Sequence, residues 1–241
     1  MAGLTTGGPN VDVSLLYEIN GLAGRAPSWL DRAVSVIGEY GILLALVLLM
    51  LWCWRGARRQ DEAAAVESLA ALVWAPLAAG AALLLNVPLR EFVGRPRPAA
   101  QHGGVEVLDP GAGIGHSAFS FVSDHATLAM ALGVGLFIAH RRLGYFGIGL
   151  ALVEGFTRVY MGLHYPTDVI GGLALGTAVV LLLAPLAMAL LTPVVRAVGR
   201  SPRLGVLVRA RGRVTTRPVD LAAAAAAAPP VGREHESDLA A

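Results

Sequence analysis

The chain has one cysteine, Cys53, no lysine at all, and charged residues at only 15% of its 241 positions. A lone cysteine excludes an intramolecular disulfide, and with it the small secreted class that is stapled by them. Without lysine, any site that needs a cation must use arginine, which supplies all 19 basic residues and presents a planar fork of donors instead of a point charge. A soluble domain carries about 25% charged residues, so the shortage of charge argues against a water-facing surface. What fills the chain instead is oil. Apolar residues make up 55% and the mean hydropathy is +0.62, values that point to an all-α polytopic membrane protein and exclude a disordered or collagen-like one. No repeat, no soluble second domain and no cleaved signal peptide is visible, and nothing in the composition suggests a nucleic-acid partner.

Five stretches are expected to cross the bilayer, at about 29–54, 68–89, 119–139, 143–162 and 169–195, each near the roughly 20 residues that a hydrocarbon core demands. Tryptophans close to both ends of the first, Trp29, Trp52 and Trp54, suit interfacial anchors. Ahead of it, Val11, Leu15, Ile19 and Leu22 share one helical face, the pattern of a short helix lying in the membrane interface. The expected organisation is an interfacial segment over 1–27, a helix bundle over 28–196, and a cytoplasmic tail over 197–241. That tail is arginine-rich, then alanine- and proline-rich, and reads as disordered.

Arg55, Arg58 and Arg59, then Arg141 and Arg142, then Arg196, Arg200 and Arg203 fall in the connections on one side of this plan. By the positive-inside bias that side is the cytoplasm and holds the C-terminus. The opposite face nevertheless keeps Arg90, Arg95 and Arg97, and positive charge held against the bias calls for a functional reason.

Three polar clusters interrupt the spans, all at their outer ends. The first runs Arg90 to Pro98; by itself it could be a basic loop touching lipid headgroups. The second is Val122-Ser123-Asp124-His125-Ala126-Thr127. Ser123 or Asp124 could cap the following helix, or Ser123 and the free N–H groups of its first turn could grip an anion while His125 moves a proton. The third runs Thr157 to Asp168. Arg158 sits within an apolar span, where an ionisable residue is a functional candidate, although an ion pair with Glu154 one turn earlier would also account for it. His164 and Asp168 stand four apart around a proline, a spacing that lets a carboxylate orient an imidazole. Arginine forks, a helix N-terminus and two histidines together suit phosphoryl transfer. No cluster has metal-ligand spacing, so no metal and no cofactor is expected, and the arginines would neutralise the phosphate. Loop histidines His102 and His116 and the cytoplasmic His140 carry less weight, and Gly171, Gly172 and Gly176 suit close helix packing.

The three clusters resemble the type 2 phosphatidic acid phosphatase superfamily of integral-membrane lipid phosphatases, whose signature is K-x6-R-P, then P-S-G-H, then S-R-x5-H-x3-D. Here the chain reads Arg90-x6-Arg97-Pro98, then Val122-Ser123-Asp124-His125, then Thr157-Arg158-x5-His164-x3-Asp168. The order and both internal spacings agree over roughly 29–195. The resemblance implies that His164 attacks phosphorus and is oriented by Asp168, and that His125 protonates the leaving group and then activates water. It implies that Arg90, Arg97, Ser123 and Arg158 hold the phosphate.

Arg90 for lysine keeps the charge, Thr157 for serine keeps the hydroxyl, and Val122 for proline alters only the approach to the helix. Asp124 in place of glycine is similar to the bacitracin-resistance type of undecaprenyl-diphosphate phosphatase, which counts Asp124 into the headgroup site. The function implied is hydrolysis of a polyprenyl diphosphate on the outer face of a bacterial cytoplasmic membrane. Phosphatidic acid, phosphatidylglycerol phosphate or a decaprenyl-phosphoryl sugar phosphate is the alternative substrate. A non-catalytic binder or transporter of anionic lipid would use the same arginines but has no use for paired histidines. The partners expected are the lipid substrate and the bilayer, with the oligomeric state left open.

Overall fold

A computed structural model describes residues 10–109, 118–201, 203 and 205–208. The tail beyond 208 and His116 lie outside the described residues. In chain order the helices are α1 (Val11–Asn20), α2 (Ser28–Val36), α3 (Ile42–Ala57), α4 (Glu62–Val93), the single turn α5 (Pro98–Gln101), α6 (Asp124–Ala139), α7 (Arg141–Tyr160), α8 (Pro166–Arg200) and α9 (Gly205–Val208). A π turn over Ile37–Gly41 joins α2 to α3, making one span of Ser28–Ala57. Among the described residues the only β pairing is an isolated bridge from Pro96 to Phe119.

Three helices are long and apolar enough by themselves to cross a membrane: Ser28–Ala57, α4 and α8. The other two expected spans, α6 and α7, run among them. α6 has 16 residues, about 24 Å at 1.5 Å per residue, which is short for a hydrocarbon core of about 30 Å. It manages because it is the centre of the bundle, packed on α3, α4, α7 and α8 and buried along most of its length. The third span was expected to start at 119, but its helix starts at Asp124. Residues 119–123 stay outside the helix, where Phe119 bridges to Pro96 and the Ser120 N–H donates to the Arg95 carbonyl at 2.7 Å.

Small residues let the helices meet at backbone distance, as they must where lipid gives no hydrophobic drive to pack. A Cβ added at Gly172 would lie 2.6 Å from the Ser123 carbonyl oxygen, and one at Gly176 would lie 2.5 Å from that of Thr127. The glycines of α8 therefore clamp the head of α6. Large apolar side chains such as Leu84, Phe92, Leu182 and Leu190 point outward, the surface a lipid solvent takes.

α1 docks on the bundle through one stripe. Leu16 is fully buried, with Val13 and Ile19 beside it, against Val159, Tyr165 and Val169, whereas Val11, Leu15 and Leu22 stay exposed. The helix therefore docks on the bundle through Val13, Leu16 and Ile19 and leaves Val11, Leu15 and Leu22 of the expected stripe uncovered. Asn20 fixes its end by donating to the carbonyls of Glu106 at 2.8 Å and Tyr160 at 2.9 Å.

Candidate active site

The three clusters converge at one end of α4, α6, α7 and α8. Ser123 is the N-cap of α6 and its hydroxyl accepts from Ala126 N–H at 3.5 Å, so Asp124 is the first helical residue and not the cap. The Ser123 N–H donates to the Asp168 carbonyl at 3.1 Å, which ties the second cluster to the third. Asp124 forms an ion pair with Arg90 and accepts from the Asn86 side chain at 2.6 Å. Asn86 is fully buried and also joins both backbone groups of Val122, at 3.0 and 3.3 Å. It pins the approach to α6 onto α4, and no motif pointed to it.

His164 lies in the connection between α7 and α8 and is mostly buried. Its Nδ1 faces the Ser120 carbonyl at 2.8 Å. A carbonyl can only accept, so Nδ1 carries the proton and Nε2 keeps its lone pair. Burial, reinforced by the Arg97 guanidinium, pushes the imidazole down to about 3 against the opposing Ser120 hydrogen bond. A histidine held so far below its ordinary range is neutral at any pH above about 5, as a nucleophile must be.

Asp168 stands 3.9 Å from His164 Nδ1, beyond hydrogen-bond reach. Its carboxylate instead accepts from Tyr165 N–H at 2.9 Å, closing the first turn of α8, and from Arg95 at 2.8 Å. The orienting acceptor for the ring is thus a backbone carbonyl, and Asp168 anchors Arg95. That arginine stacks on Tyr165, 3.6 Å from the ring centre, and reaches Asp12 of α1 at 2.5 Å. Asp12 also accepts from the Thr167 N–H at 2.9 Å and hydroxyl at 2.7 Å. Burial raises the Asp12 carboxyl, but these donors outweigh it and hold the group below its usual range. α1 is therefore bolted to the site through Arg95.

Arg97 is half-buried and lies within electrostatic range of Arg90, Asp124 and His164. Arg158 is fully buried. Its Nη1 meets Glu39 at 2.8 Å and its Nε lies 3.0 Å from Glu154, too far off line for a directed hydrogen bond. The ion pair with Glu154 therefore exists, but as one side of a larger group. Glu39 also stands 3.6 Å from His125 Nε2. The Thr157 hydroxyl is used within its own helix, on the Glu154 carbonyl at 2.8 Å. Among the described residues no group of three His, Cys, Asp or Glu is placed to hold a metal ion. Arg90 Nε and both Nε and Nη2 of Arg158 are buried without a hydrogen-bond partner among those residues, as is Arg58 Nε at the C-cap of α3.

Residues 71–190 match the PAP2 superfamily. The undecaprenyl-diphosphatase BcrC of Bacillus subtilis (strain 168) is 30% identical over 165 residues, 68% of this chain and 77% of that protein. The chain belongs to the PAP2 superfamily. Its spacings already carried that likeness, and the match extends it over most of the bundle. The putative undecaprenyl-diphosphatase YbjG of Escherichia coli (strain K12) is 27% identical over 168 residues, covering 69% of this PAP2 chain and 78% of the relative. The fold is similar to a crystal structure of a transmembrane PAP2 type phosphatidylglycerolphosphate phosphatase from Bacillus subtilis. That likeness has a TM-score of 0.51 and 23% identity, and covers 75% of this chain and 88% of that one. This PAP2 protein is a membrane lipid phosphatase.

The motifs had no means of revealing Glu39, Asn86 or Asp12, which reach the site from α4 and from elements outside the three clusters. Only charge at depth in the first span offered a signal: Glu39 lies further in than Asp31 and Arg32.

Proposed function

We propose that the protein removes the terminal phosphate of a polyprenyl diphosphate, undecaprenyl diphosphate in the first place, through a phosphohistidine on His164. The buried, unpartnered guanidinium donors of Arg90 and Arg158, at the end of the bundle that also carries His125 and His164, are the observation that carries this reading. Such donors are rare in a finished interior, and phosphate oxygens satisfy them at full charge-assisted strength. Arg90, Arg97 and Arg158 would hold the transferring phosphoryl group, with Ser123 and the first N–H groups of α6 completing the cradle. In the first step Nε2 of His164 bonds to phosphorus and the bond to the lipid phosphate oxygen breaks, its electron pair leaving with the lipid monophosphate. In the second, water attacks phosphorus, His125 takes its proton, and His164 recovers its lone pair as inorganic phosphate departs.

The lipid chain has a route. An apolar groove of about 670 Å³ between α3 and α4, lined by Leu43, Val47, Leu69, Leu72, Leu128 and Leu132 among others, passes Leu128 one turn beyond His125. The polyprenyl tail lies there with its headgroup at the head of α6.

Asp124 selects the diphosphate. It occupies one side of Arg90, leaving that arginine only partly available to the transferring group and fixed where the second phosphate of a diphosphate needs a donor. Asp124→Gly should therefore lower kcat/KM on undecaprenyl diphosphate by more than on phosphatidic acid. An unchanged ratio with only a lower thermal midpoint would assign Asp124 a structural role and favour the monophosphate lipids.

The site faces outward, because the arginines that follow α3, precede α7 and end α8 belong on the cytoplasmic side. In a Cys53→Ala background, Gly103→Cys should react with an impermeant maleimide on intact cells and Ala63→Cys should not. Both positions are exposed in the fold, so the reverse pattern would place the chemistry in the cytoplasm.

A further inference from the structure

Glu39 lies outside the three motifs and outside the matched segment 71–190, yet its carboxylate sits at the centre of the charged group. It is 2.8 Å from Arg158 Nη1 and 3.6 Å from His125 Nε2. Glu39 lies in the π turn Ile37–Gly41, and such single-turn insertions in helices are frequent at functional sites. Gly38 permits the approach. A Cβ at that position would fall 2.7 Å from Thr157 Oγ1 and 3.0 Å from Arg158 Nη2. An acidic residue at this depth is costly unless it is used.

Arg158 alone does not explain Glu39, because Glu154 already stands beside that guanidinium at 3.0 Å. Beyond that guanidinium, the group Glu39 faces is the His125 ring. The charged groups around His125 are Glu39 from the π turn, Arg158 from α7 and Asp124 from its own helix, with neutral His164 across the site. Glu39 is the carboxylate that stands within ion-pair distance of the ring.

We propose that Glu39 is the positioning residue for His125: its carboxylate stands within ion-pair distance of Nε2 and stabilises the cation formed when the ring takes a proton from the attacking water. This rests on the phosphohistidine reading above. The two steps then make unequal demands on Glu39. A lipid monophosphate leaves as a weakly basic anion and needs little protonation. Hydrolysis of the phosphohistidine requires a proton to be taken from water, and the ring that takes it becomes the cation beside Glu39. Losing Glu39 slows the second step more than the first.

The test compares wild type, Glu39→Gln and Glu39→Asp, purified in detergent, on undecaprenyl diphosphate labelled in its terminal phosphate. Reactions are quenched in alkali, where the P–N bond of a phosphohistidine survives. For Glu39→Gln, kcat should fall about 10- to 100-fold while kcat/KM, which reports only the first irreversible step, stays within about threefold. KM should fall with kcat, labelled protein should accumulate above the wild-type level, and Glu39→Asp should recover part of kcat. Equal loss of kcat and kcat/KM without accumulation would overturn the proposal, as would unchanged kcat. Misfolding, seen as a proportional loss of label and turnover in both variants, would also overturn it by making Glu39 purely structural. Wild-type protein that releases no phosphate would count instead against the functional reading.

Discussion

Replacing His164 with alanine should lower phosphate release by at least about 10⁴-fold and remove the covalent intermediate entirely. The expectation follows from geometry. Nδ1–H is committed to the Ser120 carbonyl at 2.8 Å, so the attacking nitrogen is Nε2, and burial with the nearby Arg97 keeps the ring neutral. No other side chain in the site offers an unprotonated nucleophile in that position, since Asp168 is spent on Tyr165 N–H and Arg95. Alkali-quenched reactions with labelled substrate should therefore show label on wild-type protein and none on His164→Ala. Because arginines neutralise the phosphate in this scheme, wild-type turnover should survive EDTA. Label or ordinary turnover in His164→Ala would remove the nucleophile, and inhibition by EDTA reversed by a divalent ion would require a metal.

His125→Ala should cost about 10³-fold in phosphate release but fail in a different way. With a lipid diphosphate, the first step still delivers the phosphoryl group to His164, whereas the second lacks its base. The variant should then hold close to one labelled phosphate per active site and discharge it slowly. His125 is buried at the head of α6, and its removal leaves Glu39 paired with Arg158, so the fold should persist. A variant that neither forms label nor turns over would assign His125 to the first step as well. A variant with wild-type turnover would remove it from the chemistry.

The residues of the candidate site were legible because their spacing is local. Arg90 with Arg97, Ser123 with His125, and Arg158 with His164 each fall within one helix end or one connection, and hydropathy placed all three at the same depth. The spans were legible for the same reason, with ends shifted by a few residues where charged turns continued a helix, as at Glu62 and Arg200. What the sequence hid is long-range. Glu39 reaches the site across more than 100 positions through a π turn that no periodicity announces. Asn86 reads as one polar residue in an apolar helix until it is seen to hold Val122 and Asp124. The His164–Asp168 spacing suggested a direct contact that the turn around Pro166 does not make, because the carboxylate folds back on Tyr165 N–H. α1 carried two apolar stripes, and composition could not decide which one the bundle would cover.

Purified protein in detergent, given undecaprenyl diphosphate and phosphatidic acid side by side, measures the central claim directly. Phosphate should be released from the diphosphate with the higher kcat/KM, leaving the lipid monophosphate intact as product. Release from phosphatidic acid alone, with the diphosphate untouched, would contradict it.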